Sequence, residues 1–398
     1  MPRFIAIPVA QGDSFFLELE GFSLLVDGGR NRDNFPGLFQ AVTKKDRVNV
    51  VLCTHNDADH AEGILGFLRA GLGCDEVWLP GRWLGVLPDI LRPFVEVFQE
   101  LIEDIAYMDV ASNVESTQSI ASPIEAYAER IHDHSIETFT LREGPHIIGN
   151  GWPEEYLSML EQAESWEPLS IWPWICNPKN LPFGLSHYHY LKSKNVQLLW
   201  SAIDAASRIR QIATEAFHRG IPVRWFEFDT AQPCGGRREL QPLNGRQTAI
   251  VHPRVGSLLF ALALTVWNKE SLVFWSPATE QHPGVLFTAD SDLAGINLPS
   301  QLDGAIVTAP HHGSEANANA LQRVMEKVSN KITWVRSDGR YKSRPGNTYL
   351  GLSSRKSRKL CTICRQASGN STKKQAVQLY SRSGAWIRHR NSQLCSCQ

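Results

Sequence analysis

The sequence predicts a mixed α/β (α+β) fold: two sheets covered by helices in four αββα layers, with a mostly helical mid-chain insertion and a basic C-terminal extension. Three observations lead there. Strand-like runs followed by helical patterns occur near both ends of the chain, as two mirrored β-then-α sets. The 398 residues are 42% hydrophobic and 20% charged, enough for a sizeable core and too apolar for a disordered chain. A mostly apolar run, Val48 to Cys53, reads as a buried strand that ends in a loop carrying two histidines and two aspartates within six residues.

In order, Phe4–Val9 and Ser14–Leu19 read as strands, and Glu20-Gly21 as a turn into a third, Phe22–Val26. Between the first two lies a tight polar loop, Gln11-Gly12-Asp13-Ser14. Phe35–Val42 is a short helix leading back to the central strand. Helical spacing of Ile64, Leu65, Phe67 and Leu68 follows the histidine loop, and Cys74–Leu79 is a further strand. Leu91, Phe94, Val95, Phe98, Leu101, Ile102 and Ile105 predict one helix over Pro88–Tyr107. From Val110 to Trp200 the signals are mixed, with Trp152, Trp166, Trp172 and Trp174 beside several prolines, which suits an insertion that folds over a cleft. Ser201–Gly220 is a helix stopped by glycine, and Val223–Phe228 a strand. Leu258–Val266, Leu272–Trp275, Val285–Thr288, Ala305–Val307, Ile332–Arg336 and Val377–Tyr380 complete the strands. The expected organisation is 1–85 and 236–350 as the two halves of the sandwich, 86–235 as the insertion and 351–398 as a basic, cysteine-containing segment.

No run approaches the roughly 18 apolar residues that a membrane span needs, and the N-terminus opens into a strand rather than a signal peptide, so the expectation is no membrane association and a cytoplasmic location. Net charge is −1 but unevenly spread: from Arg323 onward 17 Lys and Arg face two acids, Glu326 and Asp338, a balance of +15 against −16 for the rest. That asymmetry suggests nucleic acid as a partner; a solvated basic tail, or one packed on the acidic part of the chain, accounts for it equally. Cys361, Cys364, Cys395 and Cys397 form two close pairs suited to a structural zinc, with free thiols or a disulfide as the alternatives.

The chemistry gathers at His55-Asn56-Asp57-Ala58-Asp59-His60. Imidazole and carboxylate on one strand-to-helix loop are what a divalent transition metal takes at neutral pH. Capping of the next helix by Thr54 or Asp57 would explain one or two of these polar residues, not four.

This loop resembles the His-x-(His/Asp)-x-Asp-His signature of the metallo-β-lactamase fold. Three further segments match in order: Leu25-Val26-Asp27-Gly28-Gly29, Leu286-Phe287-Thr288-Ala289-Asp290, and Ala309-Pro310-His311-His312-Gly313-Ser314. Gln11-Gly12-Asp13-Ser14 and Pro310-His311-His312-Gly313-Ser314 are most similar to the branch that contains the nuclease domain of the competence DNA-uptake channel protein. The resemblance covers roughly 1–80 and 240–350.

The resemblance implies a metal-dependent hydrolase. His55 and Asp57 would bind one ion, Asp59 and His60 a second, Asp290 would bridge them, and His311 or His312 would complete the second site. One or two ions, zinc or manganese, would hold a hydroxide for attack on a phosphodiester, with Asp59, His60 and Asp290 at the reacting centre. Asp57 stands where histidine is commoner in the family, which tilts the preference toward manganese. Asp27 would orient the loop by hydrogen bonds, and Asp13, Ser14, Asn268 and Ser271 would lie around the site. The family's mid-chain histidine ligand has four alternatives here, His146, His187, His189 and His252. Its late histidine is replaced near Ser343-Arg344-Pro345, where Arg344 would instead hold a phosphate. A phosphodiesterase or nuclease is the first reading; a small-molecule hydrolase of a phosphoester, lactone or thioester, and a non-catalytic binding subunit, are the alternatives.

Overall fold

A computed structural model describes residues 1–98, 100–101, 145–163, 194–250, 261, 264, 270–338, 344–363 and 374–390. The chain opens as an antiparallel meander of β1 (Arg3–Ala6), β2 (Phe15–Leu19) and β3 (Phe22–Val26). Helix α1 (Phe35–Thr43), β4 (Arg47–Leu52), α2 (Ala58–Arg69) and β5 (Gly73–Pro80) follow. Next come α3 (Arg82–Ile90), α4 (Leu157–Glu161) and α5 (Lys194–His218). Strands β6 (Val223–Phe228), β7 (Gln241–Pro242), β8 (Gly245–Gln247), β9 (Phe274–Ser276), β10 (Val285–Phe287) and β11 (Ile306–Thr308) lead to α6 (Ala318–Glu326). The chain closes with β12 (Ile332–Arg336), α7 (Asn347–Leu350), β13 (Ser357–Cys361), β14 (Val377–Arg382) and β15 (Ala385–Arg388).

The residues gather into two compact units. One holds Met1–Pro80, Ile221–Thr248 and Asn268–Gln398; the other holds Gly81–Gly220 and Ala249–Trp267. Among the described residues all strands lie in the first unit, in two mixed sheets. The nine-stranded sheet runs β15-β14-β1-β2-β3-β4-β5-β6-β8 and the six-stranded sheet β13-β12-β11-β10-β9-β7. Strands β3 to β6 are mutually parallel, and so are β10 to β13, so the C-terminal ends of β3, β4, β10, β11 and β12 carry the loops that matter below.

Strand alternation explains the packing. One face of the first sheet, with Phe4, Phe15, Leu17, Leu24, Val50 and Leu52, shares a fully apolar core with Phe274, Phe287, Ile306, Val335 and Leu360 of the second. On the other face of the first sheet Phe16 meets Phe39 of α1 at 6.0 Å between ring centres, and Phe39 meets Phe67 of α2 at 5.2 Å. On the other face of the second sheet Leu286, Val307 and Trp334 cluster with Ala320, Leu321 and Val324 of α6.

Two expectations need correction. Pro88–Tyr107 is not one helix: α3 already ends at Ile90, and helical residues resume at Phe94. Pro93 is the reason, since it has no N–H to donate and pushes Arg92 away from helical geometry. In the expected strand Leu258–Val266, the described residues Ala261 and Leu264 are helical, an ambiguity that a short apolar run always carries. The described residues of the expected C-terminal extension, 351–398, contribute strands to both sheets. Strand β13 edges the second sheet, and β14 pairs with β1 in the first. Its cations are partly internal: Lys359 is buried and donates to the Leu350 carbonyl at 2.6 Å, and Lys356 Nζ donates to that of Val328 at 3.0 Å. Cys361 is buried in β13, while Cys364, Cys395 and Cys397 lie outside the described residues. Among the described residues no helix is long and apolar enough to cross a membrane.

Candidate metal centre

The loops after β1, β3, β4, β10, β11 and β12 meet, and close backbone approach is what brings them together. A Cβ on Gly12 would fall 1.5 Å from the Asp59 carbonyl oxygen, and one on Gly63 2.0 Å from that of Gly28. Only glycine lets these segments touch. The Asp13 N–H then donates to the Asp59 carbonyl at 3.2 Å, the Gly28 N–H to that of His60 at 2.8 Å, and the Gly63 N–H to that of Gly29 at 2.8 Å. Asp27, Ala289, His311 and His312 all sit at positive φ, between 46° and 55°. Such backbone costs on the order of 1–3 kcal/mol per residue and is kept where the surroundings impose it.

Asp27 holds the histidine loop. Its carboxylate accepts from the Thr54 N–H at 2.9 Å, the Thr54 hydroxyl at 2.8 Å and His60 Nδ1 at 2.8 Å. Ser14 supports it, its hydroxyl donating to the Asp27 carbonyl at 3.0 Å. Asp57 begins α2, yet its side chain makes no capping hydrogen bond. Its Oδ2 lies 3.8 Å from His55 Nε2 instead, which sets aside the capping explanation.

The partners assign the tautomer of four imidazoles. The Thr54 hydroxyl gives its proton to Asp27, so it accepts from His55 Nδ1 at 2.9 Å. His60 Nδ1 donates to Asp27. His312 Nδ1 donates to Asp13 Oδ1 at 3.1 Å. Asn317 uses its amide N–H groups on the carbonyls of Asp290 and Ser291, so its Oδ1 accepts from His311 Nδ1 at 3.1 Å. In its neutral form each of the four thereby carries its lone pair at Nε2.

Those lone pairs converge on Asp290. His60 and His312 stand 3.2 and 3.6 Å from its Oδ1, and His311 and His55 stand 3.5 and 3.9 Å from its Oδ2. Asp59 Oδ2 is 3.6 Å from His312 Nε2. Two sets of ligand atoms lie within 4.8 Å of one another: Asp13, His60, Asp290 and His312, and His55, Asp57 and Asp290. Asp290 belongs to both. Asp13 Oδ1 already steadies His312, so Asp13 is an orienting residue in this arrangement. Nε2 of His55, His60 and His312 and Oδ1 of Asp290 are buried with no hydrogen-bond partner.

Acceptors facing acceptors in a buried site repel one another, and each orphaned atom costs about 1–3 kcal/mol. A cation removes the conflict. A tetrahedral ion with bonds of about 2.0–2.1 Å spaces its ligand atoms roughly 3.4 Å apart, within the range of spacings around Asp290. The donor set therefore fits a metal ion. Protons respond to the same field. Burial opposes charge at His60, but Asp290 and Asp27 raise it well above the ordinary imidazole value. Burial likewise opposes charge at His312, yet Asp13 and Asp290 push it up to about 9. Burial and the neighbouring His60 push His55 down to about 3. Asp290 is held well below the usual carboxylate range by His312 and His60, against its burial.

The residues expected at the site are thus together: His55, Asp57, Asp59, His60, Asp290, His311 and His312, with Asp13, Ser14 and Asp27 orienting them. Ser271 is buried beneath the loop, next to Leu272, whose N–H donates to the Thr54 carbonyl at 3.1 Å. Asn268, His187, His189 and His252 lie outside the described residues. His146 forms a bridge with Ile250 in the other unit. Arg344 Nη1 is 4.0 Å from Asp59 Oδ2, and its Nε is 3.4 Å from Asp338 Oδ2. Asp338 and Asn317 are the residues that the sequence reading missed. Asp338 ends a strand as Asp27 and Asp290 do, a repeated position that marks it; Asn317 carries no such mark.

No protein-family model matches the chain. A stretch of 62 residues, 16% of the chain, is 40% identical to microtubule-associated protein 1A of Rattus norvegicus, Mus musculus and Homo sapiens. The match spans 2% of the length of those proteins, too little to carry a fold or a function across.

Proposed function

We propose that this chain is a metal-dependent hydrolase of phosphodiesters, built as a four-layer αββα sandwich of the metallo-β-lactamase kind, with nucleic acid the first substrate class to test. The observation that carries the reading is the convergence of four imidazole lone pairs on one buried carboxylate. His60, His312 and Asp290 Oδ1, with Asp59, would hold one ion; His55, Asp57 and Asp290 Oδ2 would hold another. A divalent ion there supplies Lewis-acid activation of water and of a phosphoryl oxygen. The chain's own part is positional. Asp27, Asp13, Thr54 and Asn317 each fix one imidazole by its Nδ1–H, so the ligand atoms are preorganised and little reorganisation accompanies binding.

Elemental analysis of the purified full chain is expected to find zinc, manganese or iron, and a chelator to abolish hydrolysis of bis(p-nitrophenyl) phosphate and of an oligonucleotide. Asp290→Ala is expected to lose metal and at least about 100-fold in kcat/KM, with an unchanged circular dichroism spectrum. A metal-free protein that hydrolyses either substrate in chelator, or an Asp290→Ala variant with parental activity, overturns the reading.

A further inference from the structure

We propose that a second ligand site lies in the first unit, at the end of the strands opposite the metal centre. It takes a small organic cation of the amino-alcohol kind, with the ammonium at the mouth of a cavity and the hydroxyl at its buried end. The inference goes beyond the hydrolase reading and does not rest on it.

Strand direction gives the place. The metal-ligand loops leave the C-terminal ends of β3, β4 and β10. The β2–β3 turn, with Leu19 and Glu20, is therefore at the far end of β3, and Ser276, paired with Val285 at the start of β10, is at the far end of β10. These segments and the turn before β7, with Arg238 and Glu239, enclose a cavity of about 500 Å³, all of it in the first unit. That is an ordinary size for a small-molecule site. Its walls are fixed without a ligand. Glu20 Oε2 accepts from Gln281 Nε2 at 3.0 Å, which ties two walls together. The β14–β15 hairpin holds the 277–283 loop: the Ser381 hydroxyl donates to the Gln281 carbonyl at 2.5 Å, and Trp386 Nε1 to that of Pro283 at 3.0 Å. Arg237 and Leu240 exchange backbone hydrogen bonds of 2.9 and 3.0 Å around the Arg238-Glu239 tip. A preformed cavity limits the ordering that binding requires.

The lining sets the chemistry. In β9 Phe274 belongs to the core between the sheets and Trp275 to the cluster on the α6 side, so by strand alternation Ser276 points between the sheets with Phe274. Leu19 packs on that same core and lines the same cavity, which puts Ser276 at the closed end. Ser276 is fully buried, and among the described residues its Oγ has no hydrogen-bond partner. Burying a hydroxyl unpaired is unfavourable, and a ligand group that reaches it recovers the bond. Leu19 and Pro277 offer apolar wall to a short carbon chain. At the mouth stand three carboxylates, Glu20, Glu239 and Glu280, and one guanidinium, Arg238, which Glu239 already holds in an ion pair. Glu20 and Glu280 are exposed acids beyond that pair, and a protonated amine answers them. His282 supports the wall, its Nδ1 donating to the Pro283 carbonyl at 3.0 Å and its ring 5.8 Å from that of Trp386.

The test titrates four probes into the full chain and follows each by saturation-transfer NMR: terminal aminopentanol, pentylamine without the hydroxyl, pentanediol without the charge, and hydroxypentanoate with the opposite charge. Aminopentanol is expected to bind in the millimolar range, ahead of the other three, and hydroxypentanoate is expected to bind least. The Glu20→Gln/Glu280→Gln variant keeps an acceptor for Gln281 and loses both charges; it is expected to bind aminopentanol about 5- to 20-fold more weakly and to leave pentanediol unchanged. Ser276→Ala is expected to melt no lower than the parent, since it removes an unpaired hydroxyl, and to bind aminopentanol and pentylamine alike, a loss of about 3- to 10-fold for the former.

A parent that binds no aminopentanol overturns the proposal, and so does one that binds hydroxypentanoate as well. Parental affinity in the glutamate variant overturns the role of the mouth, and with it the cationic ligand. A preference for aminopentanol over pentylamine that survives in Ser276→Ala overturns the placement of the hydroxyl. Should Ser276→Ala fail to fold, the glutamate variant decides, because its substitutions are on exposed side chains. Asp290→Ala separates this site from the metal centre: it is expected to bind aminopentanol as the parent does, whether or not the parent hydrolyses any phosphodiester. Loss of binding in Asp290→Ala would assign the amine to the metal centre and overturn the second site.

Discussion

Two regions of this protein bury polar side chains, and they do so in opposite ways. In helix α5 of the helical unit, Ser207, Arg208, Arg210 and Gln211 are all buried. Each meets a partner of complementary role: Arg210 donates to the carbonyls of Ile90 and Arg92, Arg208 to Asp204, and Gln211 to Ser207. Around Asp290 the burial is as deep, but imidazole lone pairs face a carboxylate and buried acceptors lack donors. The difference separates structure from chemistry. Buried polarity alone signals only a satisfied network; buried groups of mismatched role mark a cluster that could hold a cation.

The contrast breaks most sharply at Arg210. Arg210→Met fills a similar volume but leaves two carbonyls without their donor, and is expected to lower stability by about 2–4 kcal/mol in chemical denaturation. Metal content of the folded fraction is expected to stay at the parental value. A variant that keeps full stability would show that the α5 network is dispensable, and one that loses metal would make it part of the centre.

Asp27 tests the other side. It belongs to neither set of converging ligand atoms, yet it fixes both Thr54 and His60. Asp27→Asn keeps the shape and replaces one acceptor oxygen with a donor, so it cannot accept from the Thr54 N–H at one position and from the Thr54 hydroxyl and His60 Nδ1–H at the other. Metal affinity, measured by competition with a chelating dye, is expected to fall about 10- to 100-fold with a smaller change in melting temperature. Undiminished affinity would mean that the histidine loop holds its geometry without Asp27.

Much of the centre was legible in the sequence because its ligands are local. His55 to His60 sit on six consecutive residues after an apolar strand, and Asp27 and Asp290 each end a strand of their own. Several of the strands were legible too, since apolar runs such as Phe22–Val26 and Ile332–Arg336 mark buried strands directly. What stayed hidden is long-range. Asp13 and His312 are 299 positions apart, and Gly12 and Asp338 are 326 apart; no spacing rule links them. Strand β13, Ser357–Cys361, was hidden for another reason. Its Arg358 and Lys359 read as surface charge, while Lys359 in fact lies against Tyr349 with its ammonium on a carbonyl. A long aliphatic stem lets lysine line a core, which composition does not reveal.

The smallest expected effect sharpens the comparison from the helical side. Asp89 in α3 is an acid whose burial, with Arg92 opposing and Glu100 reinforcing, pushes its carboxyl up to about 6. Asp290 is more deeply buried, yet its carboxyl is driven down, because His312 and His60 act against that burial. The sign of the linkage follows. A folded-state value above the unfolded one means that the folded chain holds the proton more tightly, so stability is fully present below the unfolded carboxyl value and declines as pH rises through about 6. Asp89→Asn removes the titration. Because Asp89 is partly exposed, solvent screening reduces the effect to about 1 kcal/mol. The variant is expected to melt a few degrees above the parent at pH 8 and level with it at pH 4, in scans of the full chain. A variant less stable than the parent at pH 8 would show that the Asp89 carboxylate finds a favourable partner when charged, and the contrast with Asp290 would then rest on the orphaned acceptors alone.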